Sequence, residues 1–178
     1  MSLPTVVIAG RPNVGKSTLF NRILRKRRAV THETAGVTRD PIEEYTEIGG
    51  VPCILIDTGG FTVKGDRLQQ SIVEKGIRYL ETAAVIVLVV DTIGITPEDD
   101  DFIEVLRPYA DKVLVAVNKA DNPERDLGSA ELYATGFSRI FPVSALHNRN
   151  VDALLQECAE RIRAAAGNIP VQGKLDGA

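Results

Sequence analysis

Gly10-Arg11-Pro12-Asn13-Val14-Gly15-Lys16-Ser17 constrains this chain more than any other stretch. It reads G-x-x-x-x-G-K-[ST], and it stands where the mechanism of that pattern requires. An apolar, β-branched run, Thr5-Val6-Val7-Ile8-Ala9, precedes it, and Thr18-Leu19-Phe20-Asn21-Arg22-Ile23-Leu24, with apolar residues at helical spacing, follows it. A strand, a glycine-rich turn and a helix in that order aim backbone amides and a helix N-terminus at one point, a geometry suited to phosphate. Lys16 is expected to reach the outer phosphates. Ser17, with Thr18 behind it, is expected to set its hydroxyl on a magnesium ion.

Later segments supply what a guanine nucleotide needs. Ile54-Leu55-Ile56 runs into Asp57-Thr58-Gly59-Gly60, a D-x-x-G that would put a carboxylate near magnesium and the Gly60 amide near the γ phosphate. Val113-Leu114-Val115-Ala116-Val117 runs into Asn118-Lys119-Ala120-Asp121, an N-K-x-D. An ionised Asp121 only accepts hydrogen bonds, so it suits the N1–H and exocyclic amine of guanine. Adenine would leave it unpaired, and a site built on such pairing rejects the unmatched analogue by about 10^4-fold. An ATP-using enzyme would need a different base site. Asn118 is expected to brace the neighbouring loops, with the Lys119 stem over the base. Phe141-Pro142-Val143-Ser144-Ala145-Leu146 then offers the Ala145 amide to guanine O6. This is the chain order of Ras-like GTPases, which the sequence resembles.

The 178 residues, 44% hydrophobic, are enough for one domain with a sizeable core. Strands are expected near 5–9, 42–48, 52–57, 84–90, 113–117 and 140–143, alternating with helices near 17–25, 67–82, 97–107, 129–135 and 151–166. That alternation predicts a doubly wound, mostly parallel α/β sheet with helices on both faces. Glu43-Glu44-Tyr45-Thr46-Glu47-Ile48 ends at Gly49-Gly50, so the second and third strands should form a hairpin and make one edge antiparallel. From Gly167 the composition is that of a linker. Val85-Ile86-Val87-Leu88-Val89-Val90 is too short to span a membrane and is closed by Asp91. A net charge of −3 argues against an overall nucleic-acid footprint. Cys53 and Cys158 share no C-x-x-C pattern and read as small buried or half-buried side chains in a reducing, cytoplasmic setting.

Thr96-Pro97-Glu98-Asp99-Asp100-Asp101 resembles a metal cluster only superficially, since an N-cap threonine, a first-turn proline and first-turn acids together make a helix start. Arg22, Arg25, Lys26, Arg27 and Arg28 crowd the end of the first helix, where cations suit the dipole, and an RNA or partner contact is the rival reading. Between this helix and the second strand lies Ala29 to Pro41, a switch-segment candidate whose Thr38 would ligate magnesium while the γ phosphate is present.

Taken together, G-R-P-N-V-G-K-S-T-L-F-N, G-V-T-R-D-P, D-T-G-G-F, N-K-A-D and L-Y-A-T-G-F-x-x-I-F-P-V-S-A-L-H-N-R-N-V-D-A-L-L resemble the first GTPase domain of the EngA/Der family over residues 4–166. Era and MnmE are its neighbours, and Era-like chains carry D-T-P-G where this one has D-T-G-G. Ala35 stands where the family often has proline. The resemblance implies a Ras-like fold, GTP hydrolysis with Lys16, Thr38 and Gly60 at the reacting phosphates, magnesium on Ser17, Thr38 and Asp57, and a role in large ribosomal subunit assembly. It also implies a longer parent protein with a second GTPase domain and a KH-like domain. Phe61 stands where Ras-like enzymes place the glutamine that orients the attacking water. Asn13 matches the asparagine with which potassium-dependent relatives hold a monovalent cation. The alternatives are a nucleotide-gated binding module with negligible turnover and another Era/MnmE-like GTPase of the translation-factor class.

Overall fold

The computed structural model describes residues 3–25, 42–58, 76–120, 132 and 135–167. Their elements are β1 (Thr5–Ala9), α1 (Lys16–Arg25), β2 (Ile42–Ile48), β3 (Val51–Asp57), a helix α2 at 76–82, β4 (Val85–Asp91), α3 (Pro97–Leu106), a 3-10 segment (Arg107–Lys112), β5 (Val113–Asn118), β6 (Ile140–Pro142) and α4 (Val151–Gly167). The strands form one six-stranded sheet in the order β2-β3-β1-β4-β5-β6. The β2–β3 pair is antiparallel and every other pair is parallel, as expected.

Period-2 patterning explains why the sheet is covered on both sides. Along β4, Val85, Val87 and Val89 enter one buried cluster, while Ile86, Leu88 and Val90 enter another. The first cluster holds Leu19, Phe20 and Ile23 of α1 with Leu154, Leu155 and Ile162 of α4, and the second holds Leu80 of α2 with Phe102, Ile103 and Leu106 of α3. A run that is apolar at every position from Val85 to Val90 has no solvent face, which is the signature of a parallel sheet between helix layers. Each such side chain contributes about 1.5–3 kcal/mol on burial, so packing against the sheet outweighs any helix's own propensity.

The hairpin forms where Gly49 and Gly50 adopt φ of 58° and 79°, the paired positive values that a two-residue turn matching strand twist demands. Ile48 faces Val51 across it. One boundary differs from expectation: α3 ends at Leu106 and the chain tightens into the 3-10 segment. Pro108 is the cause, since it lacks the amide that would continue the ladder and its ring crowds the preceding turn. Helix α4 runs through Gly167, one residue into the stretch assigned to a linker. The rest of that stretch, the 29–41 segment and nearly all of the helix expected near 129–135 lie outside the described residues. Among the described residues no helix is long and apolar enough to cross a membrane.

Cys53 on β3 and Cys158 on α4 are buried, unpaired and in the same cluster. Burial pushes the Cys53 thiol up to about 11 and the Cys158 thiol up to about 12. At pH 8 both are therefore almost wholly protonated, and only the thiolate reacts. Folded protein is expected to resist a thiol-titrating disulfide reagent at pH 8, whereas protein in strong denaturant, with its thiols near the ordinary value of about 8.5, should react quickly. Rapid labelling of either cysteine before unfolding would contradict their placement.

Candidate functional site

Parallel strands bring their carboxyl ends to one edge, and each delivers a polar residue there. Asp57 ends β3, Asp91 ends β4 and Asn118 ends β5, while Gly10 follows β1 and Ser144 follows β6. Strand β1 lies between β3 and β4, so the chain leaves it at the point where the strand order reverses. That crevice is where open α/β sheets bind ligands.

Helix α1 begins at Lys16, with the Leu19 amide donating to Gly15 O at 3.0 Å as its opening bond. Its first amides have no partner within the helix. No acid occupies its first turn, in contrast to α3, whose first turn carries Glu98, Asp99 and Asp100. An exogenous anion at α1 would meet a dipole that the chain itself leaves unneutralised. Lys16 is 6% exposed and folds back over the loop, its Nζ donating to Gly10 O and, at 3.3 Å, to Arg11 O. Burial pulls the ammonium below its ordinary value, and the carboxylates of Asp57 and Glu98 counteract this. A phosphate between those groups would supply the missing negative charge.

Ser17 Oγ donates to Asp57 Oδ2 at 3.5 Å, so the two described residues expected on magnesium already face each other. A hydroxyl and a carboxylate are hard oxygen donors of the kind that Mg2+ takes, with water and phosphate completing its octahedron. Asp57 is buried, and Thr58 is pinned behind it, its hydroxyl donating to Ile8 O at 2.9 Å.

Asn118 joins the phosphate side to the base side. Its Nδ2 donates to Val14 O at 2.8 Å, and its Oδ1 accepts from the Ala145 amide at 3.0 Å. The bracing role expected of it is therefore present. The Ala145 amide, expected on guanine O6, is engaged by Asn118 here, so a bound base would have to share or take over that donor. Lys119 adopts φ of 71° and extends its Nζ to Asn13 O at 3.2 Å and to Asp91 Oδ2 at 3.0 Å. For Asp91, burial pushes the carboxyl up, but the Lys119 ammonium and the Ile93 amide outweigh it and leave it below the usual range. Asn13 is exposed and has φ of 68°, a left-handed conformation that asparagine tolerates better than most residues.

Contacts that sequence spacing did not suggest complete the site. Arg11 sends its Nε to within 3.2 Å of Asp99 Oδ1, so the guanidinium anchors the loop to α3. Asp99 is fully buried and also closes the capping box with Thr96, which confirms the helix-start reading of that acidic run. Arg149 donates to Ala120 O at 2.8 Å and pairs its backbone with Ser144, tying the base loop to the N-K-x-D segment. Arg22 donates from Nε to Ala145 O at 3.0 Å and from an Nη to Leu146 O at 2.7 Å. It is thus bonded to the base loop rather than standing free in the basic cluster. The contacts of Arg11 with Asp99, of Arg149 with Ala120 and of Arg22 with the base loop span tens of residues or more, beyond any local signal. Thr38, Gly59, Gly60, Phe61 and Asp121 lie outside the described residues, as do Lys26, Arg27 and Arg28. A cavity of about 550 Å³, lined by Ile23, Ile48, Leu155 and Arg163 among others, lies beside the β2–β3 turn, at the end of the sheet away from this site.

The pattern of 50S ribosome-binding GTPases matches residues 5–119, which span β1, the phosphate loop and β5. The chain belongs to that family. Its relatives include proteins named GTPase Der, from Borrelia garinii subsp. bavariensis at 45% identity over 154 residues and from Aquifex aeolicus at 46% over 160 residues. They cover 86% and 89% of this chain but are themselves covered to 36% and 37%, so the chain spans little more than a third of the length of these curated relatives. It is an EngA/Der-type GTP-binding domain. Among solved structures it is similar to an Era variant of Aquifex aeolicus bound to GDP·AlF4−, with a TM-score of 0.75, 31% identity and coverage of 90% of this chain and 57% of that one. Era in complex with MgGDPNP and a segment of 16S ribosomal RNA matches at a TM-score of 0.73 and 29% identity, again covering 90% of this chain and 57% of that one. The FeoB G-domain of Methanococcus jannaschii, 22% identical with a TM-score of 0.68 over 92% of this chain and 99% of its own, shares the fold.

Proposed function

We propose that this chain binds GTP and hydrolyses it slowly, as the switch domain of a longer cytoplasmic protein that acts in large ribosomal subunit assembly. The observation that carries the reading is the juxtaposition at the α1 N-terminus. Lys16 lies over the loop carbonyls, Ser17 faces Asp57, and Asn118 links this phosphate side to the base loop. Membership in the family of 50S ribosome-binding GTPases supports the link to the large ribosomal subunit.

Magnesium, held by Ser17 and Asp57 and by Thr38 while the γ phosphate is present, would neutralise charge building on the β and γ phosphates. The chain's own part is positioning and charge. Lys16 trades its carbonyl partners for phosphate oxygens, the loop amides and the Gly60 amide hold the γ group, and Asp121 selects guanine. Phosphoryl transfer of this kind depends mostly on such electrostatic placement, and an added cation at the leaving oxygen accelerates it by about 10^3 to 10^5.

No arginine finger is assignable in this sequence, and Phe61 cannot orient water through a hydrogen bond. Asn13 stands at the loop position from which a side-chain oxygen could hold potassium beside the phosphates. Single-turnover phosphate release is expected to be faster in potassium than in sodium at equal ionic strength. Asn13→Ala should remove the difference while retaining GDP affinity within a few-fold. Equal rates in the two salts would exclude the cation role, and no release in either would make the chain a binding module.

A further inference from the structure

We infer that Arg22, which lies outside every nucleotide motif, is a positioning residue for guanine recognition. It clamps the loop whose Ala145 amide would meet guanine O6, so this inference rests on the guanine-nucleotide reading above.

Ala145 is held through the peptide groups on both of its sides. Its amide donates to Asn118 Oδ1 at 3.0 Å, and its carbonyl accepts from Arg22 Nε at 3.0 Å. Arg22 also reaches the next carbonyl, Leu146 O, at 2.7 Å. A guanidinium presents its donors as a rigid fork, and a charged donor makes the stronger kind of hydrogen bond. Packing does not do this work at Leu146, whose side chain is 67% exposed. The neighbouring braces, the Ser144–Arg149 pairing and the His147 amide donating to Ser144 Oγ at 3.2 Å, do not engage the Ala145 carbonyl.

The position of Arg22 on α1 gives the clamp a second consequence. Lys16 and Ser17 form the first turn of that helix, and Arg22 follows six residues later, a rise of about 9 Å. One rigid rod therefore carries the phosphate contacts at its start and the base-loop contact further along. Phosphate binding at the N-terminus and the base pocket are held in register through α1, independently of Asn118. The same contact commits the Nε and an Nη of Arg22 to backbone carbonyls of the base loop, in place of solvent at the end of α1.

The test uses the full 178-residue chain and a pair of ligands that differ at one atom, GDP and 6-thio-GDP. The thio analogue keeps N1–H and the exocyclic amine but replaces O6 with a weak acceptor. The unmodified chain should prefer GDP by about tenfold, the worth of one ordinary hydrogen bond. Arg22→Ala should release GDP about tenfold faster or more and should bring the GDP to 6-thio-GDP affinity ratio close to one. Arg22→Lys, which keeps charge and stem but loses the fork, should fall between the two and serves as the readout if the alanine variant does not fold. A role in stability alone would lower both affinities together and leave the ratio unchanged, which would overturn the inference. So would the absence of any GDP preference in the unmodified chain. Failure of that chain to bind either nucleotide would instead remove the guanine-nucleotide reading and this inference with it.

Discussion

Gly15→Ala should abolish nucleotide binding and cost several kcal/mol of stability, although it adds a single methyl group. Gly15 has φ of 96°, a conformation that side chains with a Cβ resist, and an added Cβ would lie 2.1 Å from Asn118 Nδ2. Asn118 cannot yield cheaply. It is 4% exposed, donates to Val14 O at 2.8 Å and accepts from the Ala145 amide at 3.0 Å. Displacing it leaves those two buried groups without a partner at about 1–3 kcal/mol each, and the backbone strain adds about 1 kcal/mol, for a total near 3–7 kcal/mol. Against a typical domain stability of about 5–15 kcal/mol the variant should still fold, with a lower urea midpoint. GDP should no longer raise that midpoint, because the phosphate loop and the base loop lose their register together. A variant that GDP protects as well as it does the unmodified chain would show that the Gly15–Asn118 contact is dispensable.

The same contact shows where sequence reasoning reaches its limit. A phosphate loop between a β-branched run and an amphipathic segment is a local object, so Gly15, Lys16 and Ser17 could be placed from spacing alone. The hairpin at Gly49-Gly50 and the capping box at Thr96 are local too, each determined by residues at most a few positions apart. The continuous apolar run of β4 announced burial on both faces, and with it the helix layers. What the chain pattern did not disclose are side-chain to backbone contacts across the fold. Arg22 sits in the last turns of α1, where a cation complements the dipole equally well in solvent, so its composition cue was ambiguous. Its contacts with Ala145 and Leu146 depend on α1 and the base loop being brought together by the sheet. Arg11 and Asp99 pair across 88 residues for the same reason. The 3-10 segment was different in kind: Pro108 was visible, and its effect on the end of α3 was the part left unread.

Asp121→Asn should move base preference from guanine toward xanthine, the largest change in specificity expected from a single substitution in this chain. Strand β5 delivers Asn118 into its bracing contacts, Lys119 follows in the left-handed region, and the buried Ala120 amide donates to Val143 O at 3.0 Å. The segment is fixed on both sides, up to the residue before Asp121, by Val143 just past β6 and by Arg149, whose guanidinium holds Ala120 O. An anchor of that rigidity lets one side chain discriminate, because a mismatched base cannot be accommodated by moving the loop. A carboxylate accepts from both the N1–H and the exocyclic amine of guanine, whereas a carboxamide offers one acceptor and a pair of donors. The carboxamide nitrogen would then oppose the guanine amine, donor against donor, while xanthine presents a carbonyl oxygen at that place. Pairing of this kind is worth about 10^4-fold in discrimination, so GDP affinity should fall by a comparable factor while XDP affinity rises. Competition of GDP and XDP for the variant, read against the same competition in the unmodified chain, measures the switch directly. Lys16 and Ser17 are untouched by the substitution, so a tightly bound XDP would separate base selection from phosphate binding. Unchanged GDP preference in the variant would place base recognition on some other residue and withdraw the assignment of Asp121.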